Sequence, residues 1–166
     1  MTNQVIGRNM FHGYAGSYSR QPDTIIDTHP AGGAIAFGGA VVYSNGAVTA
    51  PGASATAADF VGVAVRETKS ATNYLDQNEG SYVQYDAVPV LKRGCVNVIC
   101  QNGTPALDGT VYVRVAANAS IPGAVVGGFE AAADGANSVA LTNAKWKGGK
   151  DGNNVAEIRI LTTLHA

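Results

Sequence analysis

Three histidines, two cysteines and a scatter of aspartates are the residues of this chain that could do chemistry. His12, His29 and His165 are the candidate general bases, but one precedes Pro30 and the others lie near the termini. A catalytic base must be held within hydrogen-bond reach of its proton by a rigid frame, so exposed or interface histidines are expected. Cys95 and Cys100 lie five residues apart. On one continuous strand that odd separation points the thiols to opposite faces, with about 17 Å of strand between them, well beyond disulfide reach. No further Cys or His pair has zinc-like spacing, so two free, buried or half-buried thiols are expected. Asp23, Asp27, Asp59, Asp76, Asp86, Asp108, Asp134 and Asp151 stand singly, most of them beside Gly, Asn, Pro or Ala. Aspartate in such places usually caps a turn. Asp76–Gly80 comes nearest to a calcium loop but offers too few acidic oxygens. The Gly148–Gly152 run has no following helix to present a dipole to phosphate, so it reads as a hairpin tip. No Gly-x-Ser-x-Gly elbow, His-Glu-x-x-His or P-loop is present. No catalytic residue, metal ligand or cofactor is therefore assigned, and the chain is expected not to be an enzyme.

The elements that would position any site are strands. Of 166 residues, 46% are hydrophobic, but 27 of them are Ala. Val numbers 19 and Leu only 6, and β-branched residues suit a pleated, half-buried surface. With 21 Gly and 14% charged residues, the composition favours many turns and few solvated helical faces. Strands are expected at Ala40–Tyr43, before the Asn45-Gly46 turn, and at Phe60–Val65. Others are expected at Tyr82–Tyr85, at Val88–Lys92, and, separated from it by Gly94, at Cys95–Cys100. Thr110–Val115 has Val111, Val113 and Val115 inward and Tyr112 and Arg114 outward. Val125–Glu130 and Val139–Trp146 resemble a loose hairpin around Asp134-Gly135. Val155–Leu161 has Ala156, Ile158 and Ile160 inside and Glu157 and Arg159 outside. Ala47–Ala58 is too poor in bulk for a core, and a single helical turn is expected at Asn73–Asn78 or Ala131–Ala133. About eight or nine short strands make an all-β domain, a compact antiparallel β-barrel or sandwich, spanning residues 35–166.

Residues 1–34 read as an extended N-terminal arm, punctuated by Gly, Ser, Asn and Pro and lacking a sustained period. Ile6, Met10, Phe11, Tyr14, Tyr18, Ile25 and Ile26 lie within it, more apolar weight than a disordered tail carries. Either they tuck against their own barrel or they dock on a neighbour, where Phe11, Tyr14 and Tyr18 would be anchors of the kind that dominate interfaces. Met10, Arg20, Ile25 and Ile26 belong to the same candidate interface. Tyr82, Tyr85 and Tyr112, expected to face outward, extend it and predict a homo-oligomer.

Eleven Lys and Arg against twelve Asp and Glu give a formal net charge of −1. Without a basic run, nucleic acid is not an expected partner. The apolar stretches are too short to cross a bilayer as helices, and residues 1–20 hold no apolar region of signal-peptide length. Synthesis in a cytoplasm follows as the expectation.

The order of segments carries a resemblance. Gly13–Gly16 (Gly-Tyr-Ala-Gly) and Pro22–Ile26 precede Ala36–Val42 (Ala-Phe-Gly-Gly-Ala-Val-Val) and Phe60–Glu67 (Phe-Val-Gly-Val-Ala-Val-Arg-Glu). Tyr85–Val98, with Val-Pro-Val-Leu-Lys-Arg-Gly-Cys-Val-Asn-Val, comes next, followed by Leu107–Val113, an Ala-Lys-Trp turn and Ala156–Ile160. Over nearly its whole length this chain resembles the structural cement, or capsid decoration, proteins of tailed bacteriophages. The resemblance implies a virion protein on the outer surface of the icosahedral head, made in the host cytoplasm. It also implies a role in bridging major capsid protein subunits and bracing the expanded shell, as a trimer or dimer. A carbohydrate- or host-surface-binding module is the competing expectation, with Tyr14, Tyr18, Tyr74 and Trp146 as stacking platforms.

Overall fold

Val88, Val90, Val96, Val98 and Ile99 concentrate β-branched side chains in one stretch, and that stretch is the spine of the molecule. The computed structural model describes residues 11–67 and 80–164. Among them the chain is all-β, with eleven strands: β1 Tyr18–Pro30, β2 Ile35–Ala36, β3 Ala40–Ser44, β4 Ala47–Thr49, β5 Phe60–Ala64, β6 Ser81–Tyr82, β7 Ala87–Asn102, β8 Thr110–Arg114, β9 Phe129–Glu130, β10 Ser138–Trp146 and β11 Val155–Ile160. The two strands expected on either side of Gly94 are one, β7. Gly94 does not end it but bends it: its φ is +119°, and a Cβ there would sit 2.6 Å from the Asp23 carbonyl oxygen. Ile25 of β1 opposes Arg93 while Ile26 opposes Leu91, which leaves an extra β7 residue between them. Regular alternation would send residues five apart to opposite faces. Leu91 and Val96 nevertheless share one core, because the bulge resets the phase.

One edge of β7 carries β1 and then β9; the other carries β5 and then β11. β9 continues through β8 and β10 back to β11, so β7, β9, β8, β10 and β11 close a ring. Trp146, Phe129, Val96, Val98, Val111, Ile158 and Ile160 fill it. Side chains of this size gain roughly 1.5–3 kcal/mol each on full burial. A second, smaller core lies under β3, β4 and the first half of β7, built from Ile35, Val41, Val48, Val61, Tyr82, Val88 and Val90. β5 lies between the two and is buried on both faces: Phe60 and Val63 enter the first core, Val61 and Ala64 the second.

Several expectations change here. Tyr18–Pro30, read as irregular, is a thirteen-residue strand paired with β7. Val125–Glu130 and Val139–Trp146 do not form a hairpin, since β8 pairs with both β9 and β10 and lies between them. Val48, in the stretch judged too poor for core, is fully buried. Tyr82, expected outward, packs edge-on against Phe37, and its hydroxyl donates to the Val65 carbonyl at 2.5 Å. Arg114, also expected outward, is fully buried because the 116–138 segment folds back over the outer face of β8. Glu157 is nearly buried beneath Arg20 of β1. Helical turns form at Ala57–Asp59 and Gly135–Asn137 rather than at Ala131–Ala133; Asn73–Asn78 lies outside the described residues. The Asn45-Gly46 turn joins β3 to β4 as expected, with Asn45 at φ +50°.

Candidate interaction surface

Residues 11–17 run across the outside of the first core and are held there by backbone bonds. Gly16 N–H donates to the Asn97 carbonyl at 2.8 Å, Asn97 N–H donates to the Ser17 carbonyl at 2.9 Å, and Arg66 N–H donates to the Gly16 carbonyl at 2.8 Å. Gly16 and Gly38 cross in contact. A Cβ on Gly16 would lie 2.9 Å from Gly38 N and from Arg66 N, and both glycines have positive φ. The Gly-Tyr-Ala-Gly and Phe-Gly-Gly motifs are therefore two halves of one crossing. Asp151 accepts from His12 N–H at 2.9 Å, and Asn97 Nδ2 donates to the His12 carbonyl at 2.7 Å.

This crossing presents Phe11 and Tyr14, which are 69% and 72% exposed. The Arg66 guanidinium lies 5.1 Å from the Tyr14 ring centre and 5.7 Å from that of Phe37. Tyr18 is half-buried and donates to Glu67 at 2.7 Å; that bond, followed by burial, raises its pKa. Arg20 pairs with Glu157 at 3.0 Å. Ile25 is exposed, whereas Ile26 packs on the first core. Of the ten candidate interface residues, Tyr14 and Tyr18 thus meet at Arg66-Glu67, while the Phe11 ring lies beside Gly152. Tyr82 belongs to the core, and burial raises its phenol pKa. Tyr85 is 82% exposed at φ +74°, on the tight Val83–Asp86 turn. Tyr112 is half-buried on β8, and Met10 lies outside the described residues.

Sequence reasoning missed a shallow apolar cleft beside the glycine crossing, about 80 Å³ in volume and lined by Phe37, Ile99, Val125 and Val126. It is small beside the roughly 300–1,000 Å³ of small-molecule sites. Ile99, Val125 and Val126 are 36–53% exposed. The signal was available: Ile99 sits at an outward register position between two core-facing residues.

The chemistry-bearing residues do not converge. His29 Nε2 meets the Tyr43 hydroxyl at 3.1 Å, far along the chain from His12 at Asp151; His165, Asp76 and Tyr74 are outside the described residues. Among the described residues no group of three or more His, Cys, Asp or Glu could hold a metal. Cys95 and Cys100 are free and buried; Cys100 enters the first core while Cys95 points away from it, beside Glu157. Burial raises both thiol pKa values. Trp146 is fully buried in the first core, so it is no stacking platform. Among the described residues no helix is long and apolar enough to cross a membrane.

The fold and this surface, a small β domain with a strapped N-terminal segment, fit a protein that works by contact with other proteins. The chain matches the family described as structural cement protein (E217 gp24/Pam3 gp6) over residues 1–161, and it belongs to that family, a class of structural phage-capsid proteins. A chain from a structure titled "The capsid of Myoviridae Phage XM1" shares the fold, with a TM-score of 0.67 at 17% identity, covering 96% of this chain and 98% of that one. No match was found among curated proteins.

Proposed function

We propose that this protein decorates the outer surface of an expanded icosahedral phage head, where it bridges major capsid protein subunits and braces the shell without catalysing a reaction. The family match over residues 1–161 carries this reading. The exposed Phe11 and Tyr14, on a segment clamped by glycine contacts, supply rigid aromatic anchors whose ordering entropy is already spent. The protein works as a dimer or trimer, in which many individually weak lattice contacts act together.

Purified protein added to expanded capsids assembled without it should co-sediment with them and raise their resistance to heat, while unexpanded procapsids leave it in the supernatant. Equal uptake by both particle forms refutes the reading. Removing residues 1–10 together with Phe11→Ala and Tyr14→Ala should weaken capsid uptake at least tenfold with little change in melting temperature. Light scattering checks the oligomer.

A further inference from the structure

One row of outward side chains crosses four strands in register. Arg20 of β1 opposes Cys95 of β7, Cys95 opposes Arg159 of β11, and Arg159 opposes Lys145 of β10. The neighbouring residues Val96, Ile158, Ala144 and Trp146 are in the core, so this row faces out. Lys147 follows two residues beyond Lys145, its N–H donating to the Glu157 carbonyl, and Arg93 precedes Cys95 by two. Asp23 lies among them, 3.0 Å from Arg93 and 3.4 Å from Arg159, and Glu157 pairs with Arg20. The face therefore holds five cations against two carboxylates. The rest of the chain carries six cations against ten carboxylates.

Lys145 directly opposite Arg159 is a like-charge cross-strand pair, and such pairs destabilise a sheet. Neither Lys145 nor Lys147 has an ion-pair partner among the described residues. A carboxylate at Lys145 would face Arg159 and serve folding better, whereas Lys147 already stands across from Glu157. We propose that this outer face of β1, β7, β11 and β10 is a docking surface for a carboxylate-rich protein surface, which, on the function proposed above, belongs to the capsid shell.

The spacing favours protein carboxylates over a nucleic acid. With strands about 4.8 Å apart, the row from Arg20 to Lys145 covers roughly 14 Å, and Asp23 and Glu157 interrupt it. A duplex with one negative charge per about 1.7 Å would be pressed against Asp23, which is 49% exposed. A protein can place its carboxylates between those two acids, with each cation meeting one.

The test is the Lys145→Glu/Lys147→Gln variant, which sets no carboxylate against Glu157, with Lys145→Gln as the milder substitution. Both should melt at or above the parent temperature, since a like-charge pair is removed. Uptake by expanded capsids assembled without this protein should fall about tenfold for the double variant near 0.15 M salt, and the difference should vanish near 1 M salt, where the screening length is about 3 Å. A lowered melting temperature with unchanged uptake would make these lysines structural and overturn the inference while leaving the proposed function standing. Unchanged uptake at every salt concentration does the same. Salt-sensitive retention of the parent protein on duplex DNA, lost in the variant, would assign the face to nucleic acid. Parent protein that fails to bind expanded capsids at all removes the proposed function and this inference together.

Discussion

Arg114 sits where strand alternation would put a solvated side chain, yet it is fully buried with Glu130 at its Nε and Nη2 and Asp134 at 2.9 Å. Asn118 Nδ2 donates to both oxygens of Asp134. Breaking a buried pair strands the remaining charge, so Arg114→Leu should cost about 3–5 kcal/mol, read as a lower urea midpoint. Replacing Arg114 and Glu130 together by Leu should recover part of that loss. Carboxylates set the acid limit. The hydrogen bond from Lys92 holds Asp27 below its ordinary pKa, and Asn118, aided by Arg114, does the same for Asp134 against opposing desolvation. Burial pushes Asp151 upward, but the N–H groups of His12, Val155 and Asn153 together bring it down. Each folded-state pKa is thus below its unfolded value, so the unfolded chain takes up protons first on acidification. Stability should be level above about pH 4 and fall as pH drops through the lowered folded-state values. Urea midpoints between about pH 6 and pH 2 check this, and Asp27→Asn should flatten the slope.

At the scale of elements, two glycine contacts decide how strands lie on one another. Gly16 and Gly38 allow the N-terminal segment to cross the β2–β3 connection, and Gly94 lets β1 pass over the bulge in β7. Alanine at Gly16 would meet backbone atoms at 2.9 Å and take up an unfavourable φ. Gly16→Ala and Gly94→Ala should each lower stability by about 2–4 kcal/mol, measurable by thermal unfolding monitored with circular dichroism. Residues 12–20 bond to β7, β11 and the Arg66-Glu67 end of β5. Deleting residues 1–20 should therefore lower the melting temperature, whereas a tail hanging free of the barrel would leave it unchanged.

On the scale of the molecule, the two cores share β5 and β7, so neither can open without exposing a strand of the other. One cooperative transition is expected. Val48→Ala in the smaller core and Ile158→Ala in the larger should move the same urea midpoint, each by about 2–4 kcal/mol, without a second transition. Two separate transitions would show that the cores fold as independent units.

Composition and alternation determined that the chain is all-β, where most strands lie, and that Val111, Val113, Ile158 and Ile160 face inward, because side-chain period and β-branching are local properties of a strand. The order of motifs was enough to point to the cement family. Three things needed the tertiary structure. The phase of β7 across Gly94 depends on a bulge, which shifts the alternation by one residue. Inside and outside at Tyr82, Arg114 and Glu157 depend on which segment folds over the outer face, and a polar residue buried with its partner looks, in sequence, like a solvated one. The cationic row from Arg20 to Lys145 joins residues up to 139 positions apart in the chain. Only strand register brings such residues together, and register is set by pairing partners, not by any one strand.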